Sequence, residues 1–377
     1  MKIMIVMEGF FPGKKYGGPP VSIDNFCSFM KNYNCYIVAK DHDLFESKRF
    51  SNIQEGWNDR ENCKVLYLPD SKYKKITFEK VIDEIKPDIL YLQGVFQSCV
   101  FPCLQLARKH RIKVLLAPRG ELCAGALNIK RYKKFPYIIM LKAIGLVKDI
   151  HWQSTSNEET AAIKKWMKVG EAYIHHLDNI PSIMKKKYLR KEKVTGEGRF
   201  IFLSRIHPKK NLLSAIRYFQ DLTGKAEFDI YGPIEDEVYW KKCQSEIKKL
   251  PKNIRVRYKG LVGHEQVHQV FSQYDAFLFP TLSENYGHVI AESLIAGTPV
   301  IISDQTPWRG LELVGGGWDI KLSNEEKFRE VIEKIIALNK LEYEYIHQQA
   351  IAYIERKLNI QVLKKQYLSV FDKVLHR

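Results

Sequence analysis

What the chain is short of narrows its class first. No apolar run approaches the ~20 residues that a membrane-spanning helix requires. The apolar start, Met1-Lys-Ile-Met-Ile-Val-Met7, meets Glu8 at once and is too short for a signal peptide, so it reads as a first strand. Cysteines number seven, odd and without framework spacing, which argues against a disulfide scaffold and for a reducing compartment. Cys99 and Cys103, one helical turn apart, read as buried thiols. Internal repeats and low-complexity tracts are not apparent. Acidic residues are outnumbered, 43 against 60 Lys and Arg, leaving a net charge of +17 that calls for an anionic partner. Neither a zinc-finger nor an RNA-recognition motif is visible, so nucleic acid ranks below an anionic membrane surface or a phosphorylated substrate.

What remains is a globular composition, 45% hydrophobic and 27% charged, in 377 residues, a length that suits two α/β domains better than one core. The basic excess is uneven. Lys130-Arg-Tyr-Lys-Lys-Phe-Pro-Tyr-Ile-Ile-Met-Leu-Lys-Ala-Ile-Gly-Leu146 sets cations and aromatics beside an apolar helix, as an interfacial segment does; a core helix with a solvated basic end is the alternative.

The most informative stretch runs from Asp275 to Asp304 and reads as strand, loop, helix, strand. Ala276 to Phe279 and Val300 to Ile302 are short apolar runs of the kind found in buried parallel strands. Val289, Ile290, Ser293, Leu294 and Ala296 recur at helical spacing, with Gly297 as the stop. Ser283 to Gly287 therefore sits at a strand's carboxyl end and opens a helix, which is where open parallel sheets bind ligands. Gly287 allows close backbone approach, and the helix start suits a phosphate. Glu284 and Glu292 are eight positions apart, roughly 12 Å along a helix axis. That is too far for the close carboxylate pair of a retaining glycosidase, but it suits two ends of one long ligand.

The string Thr281-Leu-Ser-Glu-Asn-Tyr-Gly-His-Val-Ile-Ala-Glu-Ser-Leu294 resembles the E-x7-E signature of retaining glycosyltransferases of the GT-B fold, specifically glycosyltransferase family 4. Ile302-Ser-Asp-Gln-Thr-Pro-Trp308 and Gly316-Gly-Trp-Asp-Ile320 resemble a branch that builds bacterial surface polysaccharides, as does Pro233-Ile-Glu-Asp-Glu-Val-Tyr-Trp240. The resemblance implies an α/β architecture of two Rossmann-like, doubly wound domains facing across a cleft. It also implies that Glu284 holds the donor sugar, that Glu292 accepts from ribose hydroxyls, and that the amides of Asn285, Tyr286 and Gly287 line the phosphate and sugar site.

Ser204-Arg-Ile-His-Pro-Lys-Lys-Asn-Leu212 lies between a strand and a helix, so Arg205 and Lys210 project from a loop at a strand's carboxyl end, with Lys209 as a lesser substitute. Two fixed cations there can neutralise a leaving diphosphate, the role the family pattern gives this spacing. Near the N-terminus the family's glycine loop corresponds to Gly9 to Pro20, which implies that Gly17 and Gly18 face the donor diphosphate and the acceptor. Gln93-Gly94 stands where the branch often has His-Gly, a departure that removes the obvious general base. Arg119, in a Pro-Arg-Gly element, is positioned to hold an acceptor or donor oxyanion, or alternatively to pair with Glu121. Asp41-His-Asp43 mimics a metal-binding Asp-x-Asp but reads as a charged turn. His264-Glu-Gln-Val-His268 satisfies the zinc-peptidase pattern formally, though the His-x-x-Gly-x-x-His continuation is absent.

The expected organisation is an N-terminal acceptor-binding domain over 1–184, a linker over 185–198, a nucleotide-sugar-binding domain over 199–358, and a terminal helix, 359–377, returning to the first domain. The expected activity is transfer of a sugar, with retention and without a metal or cofactor, from a nucleotide-sugar to a hydroxyl of a glycan or lipid-linked oligosaccharide. The expected place is cytoplasmic, peripheral on the inner face of a bacterial membrane. Two other classes stay open: a zinc metallopeptidase using His264 and His268, and a sugar-nucleotide-binding protein without turnover.

Overall fold

The computed structural model of the chain describes residues 1–180 and 188–376. The chain divides into two compact units, Met1–Ile180 with Ile360–Arg377, and Pro181–Asn359.

The first unit is built on an eight-stranded sheet. Its strands are Lys2–Val6 (β1), Asn34–Lys40 (β2), Trp57–Arg60 (β3), Cys63–Leu68 (β4), Ile89–Gln93 (β5), Lys113–Ala117 (β6), His151–Ser154 (β7) and Ile174–His176 (β8), in the spatial order β3-β4-β2-β1-β5-β6-β7-β8. All ladders are parallel except the β3–β4 edge pair. Helices cover both faces, so β1 is apolar at nearly every position. Ile3 and Ile5 enter one core, and Met4 and Val6 the other, as the period of two along a strand requires.

The helix Ile360–His376 belongs to this unit. It buries Leu363, Tyr367, Phe371 and Val374, spaced at i, i+4, i+8 and i+11, in the same core as Ile3 and Ile5. Full burial of such side chains stabilises by about 1.5–3 kcal/mol each, which anchors the chain's return.

The second unit carries a six-stranded, wholly parallel sheet: Glu197–Leu203 (β9), Lys225–Tyr231 (β10), Ile254–Gly260 (β11), Ala276–Phe279 (β12), Val300–Ser303 (β13) and Gly317–Ile320 (β14), in the order β11-β10-β9-β12-β13-β14. The winding direction reverses between β9 and β12. The crevice outside the carboxyl ends of that pair is the place where an open α/β sheet takes its ligand.

The boundaries differ from the sequence expectation. Residues 188–198 are not a free linker. The Lys193 ammonium, buried, donates to the carbonyls of Glu197, Val194 (2.8 Å) and Ile336 (3.2 Å), and the Gly196 N–H donates to the Ile336 carbonyl at 2.9 Å. The basic run Lys185 to Lys193 read as part of the linker in sequence, yet one of its lysines closes the orphan carbonyls at a helix end. Lys185 to Lys187, the start of that run, lie outside the described residues.

Candidate active site

β9 and β12 pair side by side, with Phe200 against Ala276 and Ile201 against Phe277. Their carboxyl ends release the two loops that the sequence singled out, and backbone bonds staple one loop to the other. The Lys209 carbonyl accepts from the Leu282 N–H at 2.9 Å and from the Thr281 hydroxyl at 3.1 Å, while the Asn211 amide donates to the Pro280 carbonyl at 2.9 Å. Lys210, in the short turn Pro208–Lys210, thus meets Glu284 in a direct ion pair. Both side chains are nearly enclosed, 12% and 13% exposed, so the pair is far less screened than a surface pair. Beneath it the Lys210 ammonium lies 5.7 Å from the centre of the Phe279 ring.

The same loop after β9 holds a second ion pair. One guanidinium nitrogen of Arg205 contacts both carboxylate oxygens of Glu235, at 2.9 and 2.8 Å. The loop after β10 is stitched to the loop after β9: the Ser204 N–H donates to Tyr231, Ile206 to Pro233, and the Glu235 and Asp236 N–H groups to the Ile206 carbonyl. Gly232 makes that approach possible. Its φ is +131°, and a Cβ there would lie 1.9 Å from the Ser204 carbonyl oxygen.

Gly287, at φ +76° in the left-handed region, caps the helix His288–Ile295. Tyr286 is buried against Trp308, whose indole N–H donates to the Tyr286 carbonyl; Trp308 belongs to the Ile302-to-Trp308 string. The Ile290 N–H closes the first turn onto the Gly287 carbonyl at 2.9 Å, and the positive end of the helix dipole favours an anion at this start. One turn further, Glu292 is 5% exposed and its carboxylate lies 3.5 Å from the His264 ring. The unit therefore presents two cations, three carboxylates and a helix start around the switch point, an arrangement with partners for a diphosphate and for sugar hydroxyls together.

Residues 184–352, which hold all of these groups, match the family model described as glycosyl transferases group 1. The chain carries a glycosyltransferase domain.

A Klebsiella pneumoniae protein described as an uncharacterized 41.2 kDa protein in the cps region is 23% identical over 265 residues, 67% of this chain and 70% of its own. The O-antigen chain mannosyltransferase B of Escherichia coli is 23% identical over 124 residues, 31% of this chain and 32% of its own. Among solved structures, that of HepE from Anabaena in complex with UDP and glucose superposes with a TM-score of 0.72 at 14% identity, covering 99% of each chain. The fold is GT-B.

Outside the glycosyltransferase domain, the first unit gathers its flagged residues separately. Arg119, at φ +56°, donates from Nε to the Gln93 side-chain Oε1 at 2.8 Å, from one terminal nitrogen to the Asn179 side-chain oxygen, and from the other to the Tyr91 hydroxyl at 3.3 Å. The network continues through Gln153, bonded to the Tyr91 and Tyr367 hydroxyls, so the terminal helix helps to fix Arg119. Arg119 does not pair with Glu121. That carboxylate instead accepts the N–H groups of Val95 and Phe96, and burial pushes its pKa above the usual carboxylate range. Gln93 is wholly buried, with its amide nitrogen unpartnered among the described residues.

Gly17 caps the helix Gly18–Phe29 at φ +74°. The preceding loop is latched by Asp43, whose carboxylate accepts from the N–H groups of Lys14 (2.8 Å), Lys15 (3.0 Å) and Leu44 (2.9 Å). The Asp-x-Asp string thus holds the glycine loop in shape, more than a charged turn does.

The zinc-peptidase pattern resolves differently from its formal reading. His264 lies in the 3-10 turn His264–Gln266 and faces Glu292, whereas His268 is buried in the next helix, and no group of three or more metal-ligating side chains occurs among the described residues. Burial, with a smaller contribution from His264, pushes the His268 pKa down to about 4, so it is a neutral core imidazole at neutral pH. Cys99 and Cys103 are fully buried free thiols. Glu235 and His264 are the site neighbours to which sequence reasoning gave no such role. Glu235 stood within the quoted Pro233-to-Trp240 string, and His264 was obscured by the zinc pattern.

Proposed function

We propose that the chain is a retaining, metal-independent glycosyltransferase of family 4. It moves a sugar from a nucleotide-sugar to a hydroxyl of a lipid-linked glycan in the synthesis of a bacterial surface polysaccharide such as an O-antigen or capsule. The observation that carries this reading is the placement of Lys210 and Arg205, each held by a carboxylate, at the switch point of the second sheet beside the start of the helix His288–Ile295. The relatives named above support the pathway, since one is encoded in a cps region and another is an O-antigen mannosyltransferase. The structure solved with UDP and glucose supports a nucleotide-sugar donor.

In this reading Arg205 and Lys210 stabilise the departing diphosphate, whose negative charge grows as the glycosidic bond breaks. Glu284, already bonded to Lys210, orients the donor sugar. Glu292, steadied by His264, accepts from the ribose hydroxyls, and the amides of Asn285, Tyr286 and Gly287 complete the donor site. Gly17 and Gly18 serve the diphosphate and acceptor from the first unit, where Gln93 and Arg119 form the acceptor side. Transfer to an acceptor from a cps- or O-antigen-producing bacterium, followed by NMR of the new anomeric centre, tests the proposal. It requires nucleoside diphosphate release coupled to a product with the donor's anomeric configuration. An inverted product, or donor binding without transfer, contradicts it.

A further inference from the structure

The helix Arg131–Ala143 turns two apolar faces outward from its axis, and the protein covers one of them. Ile138 and Leu141 are buried in the first unit's core. On the opposite side Tyr132 is 73% exposed, Ile139 63% and Met140 38%, and the flanking Ile129 and Ile144 are 59% and 42% exposed. Positions 132, 136, 139, 140 and 143 follow the i, i+4, i+7, i+8, i+11 spacing of a single stripe. Scattered exposed aliphatics need no explanation, but a continuous stripe on one helix does.

The charge around this stripe is of one sign. Between Glu121 and Asp149 the chain has Lys130, Arg131, Lys133, Lys134, Lys142 and Lys148 and no acidic residue. Lys134 is turned inward, donating to the Ala126 carbonyl at 2.7 Å, and the Arg131 guanidinium stacks 4.6 Å from the Phe135 ring centre. An open depression beside the helix start is lined by Asn128, Lys130, Arg131, Tyr132, Phe135 and Pro136, which places two cations and a tyrosine at its rim.

We propose that this surface docks the protein on an anionic phospholipid bilayer, with the helix lying in the interface. A bilayer satisfies both halves of the pattern. A second copy of the chain would set cations against cations, and a nucleic acid offers nothing to Ile139, Met140 and Ile144. Acyl chains take the aliphatic stripe, anionic headgroups take Lys130 and Lys133, and Tyr132 sits at the boundary as interfacial tyrosines do. The proposal extends the lipid-linked acceptor reading, but it is argued from this surface alone.

Cosedimentation of the full chain with vesicles of phosphatidylcholine alone, or mixed with phosphatidylglycerol, tests it. The chain is expected to bind the mixed vesicles, to release at high salt, and to ignore pure phosphatidylcholine. Lys130→Ala with Lys133→Ala should weaken binding about thirtyfold, from ~1 kcal/mol per cation near an anionic surface. Ile139→Ser with Ile144→Ser should weaken it about tenfold or more. Leu313→Ser, 92% exposed in the second unit, should change nothing. Circular dichroism confirms folding, which these exposed positions leave intact. Unchanged binding in both double variants, equal binding to pure phosphatidylcholine, or a vesicle-independent dimer dissolved by Ile139→Ser with Ile144→Ser would each overturn the proposal. Transfer to a water-soluble acceptor is read in parallel: its absence, with vesicle binding as described, counts against the transferase reading and leaves the surface standing.

Discussion

The Lys210–Glu284 pair can be interrogated by a double-mutant cycle of Lys210→Met, Glu284→Gln and both together. Because each side chain is little more than a tenth exposed, removing either partner leaves the other enclosed without its counter-charge. Breaking such a pair costs about 3 kcal/mol, whereas replacing both partners returns most of that loss. For a unit of this size, ~3 kcal/mol corresponds to a fall in Tm of about 6–12 °C. Each single variant should therefore melt well below the wild type, and the double variant should melt above Lys210→Met. Transfer should respond in another pattern. Under the proposed function Lys210→Met removes a cation that neutralises the leaving diphosphate, and it should lower kcat by about two to three orders of magnitude. Glu284→Gln should lower it comparably, and the double variant should be no more than about tenfold worse than Lys210→Met, since residues acting as a unit are not additive. Thermal unfolding and nucleoside diphosphate release read the two axes. Stabilities that simply add, with a coupling under about 0.5 kcal/mol, would refute the pair. Near-normal transfer by either folded single variant would refute its role.

Three further outcomes follow from the geometry. His268 has a native pKa near 4 against an ordinary value near 6.5, so between those values the unfolded chain holds a proton that the native one lacks. Stability should fall by up to about 3 kcal/mol as pH drops from 6.5 to 4 and should not recover below that, and His268→Leu should flatten this part of a denaturation profile. Gly232→Ala should destabilise by about 2–3 kcal/mol, since its Cβ meets the Ser204 carbonyl and φ is +131°; Gly170→Ala, where a Cβ meets nothing within 4 Å, is the melting control. Glu235→Gln should lower kcat about ten- to a hundredfold through loss of Arg205 orientation, while nucleoside diphosphate affinity, measured by calorimetry, stays equal or tightens because a competing carboxylate charge is gone.

Much of the second unit was legible because its signals are local. Ala276 to Phe279, Gly287 and the apolar spacing through Ala296 state a strand, a cap and a helix within one continuous stretch. Lys210 and Glu284 were each legible for the same reason, but their contact was not: it arises from the β9–β12 register, set by strands 76 positions apart and by no local code. The Arg205–Glu235 pair depends on adjacency of β9 and β10, and on a glycine whose need shows only when the Ser204 carbonyl is in place. Asp43 looked like a solvated acid because a carboxylate that caps backbone N–H groups has the same sequence as one that faces water. Lys193, within the expected linker, gave no sign of burial, since a lysine in a basic run has the same sequence whether its stem is packed or in water. The strands Trp57–Arg60 and Ile174–His176, at the sheet edges, are too short and polar to announce themselves.

Thermal unfolding against a panel of nucleoside diphosphates and nucleotide-sugars tests most directly that the switch point of the second sheet is a donor site. A ligand at a hundred times its Kd stabilises by about 2.7 kcal/mol, which raises Tm by about 5–10 °C for a unit of this size. At least one nucleotide-sugar should produce such a rise in the wild type, and the rise should be lost in Arg205→Ala and in Lys210→Met. No rise with any of them, or the same rise in the wild type and both variants, would contradict a donor site there.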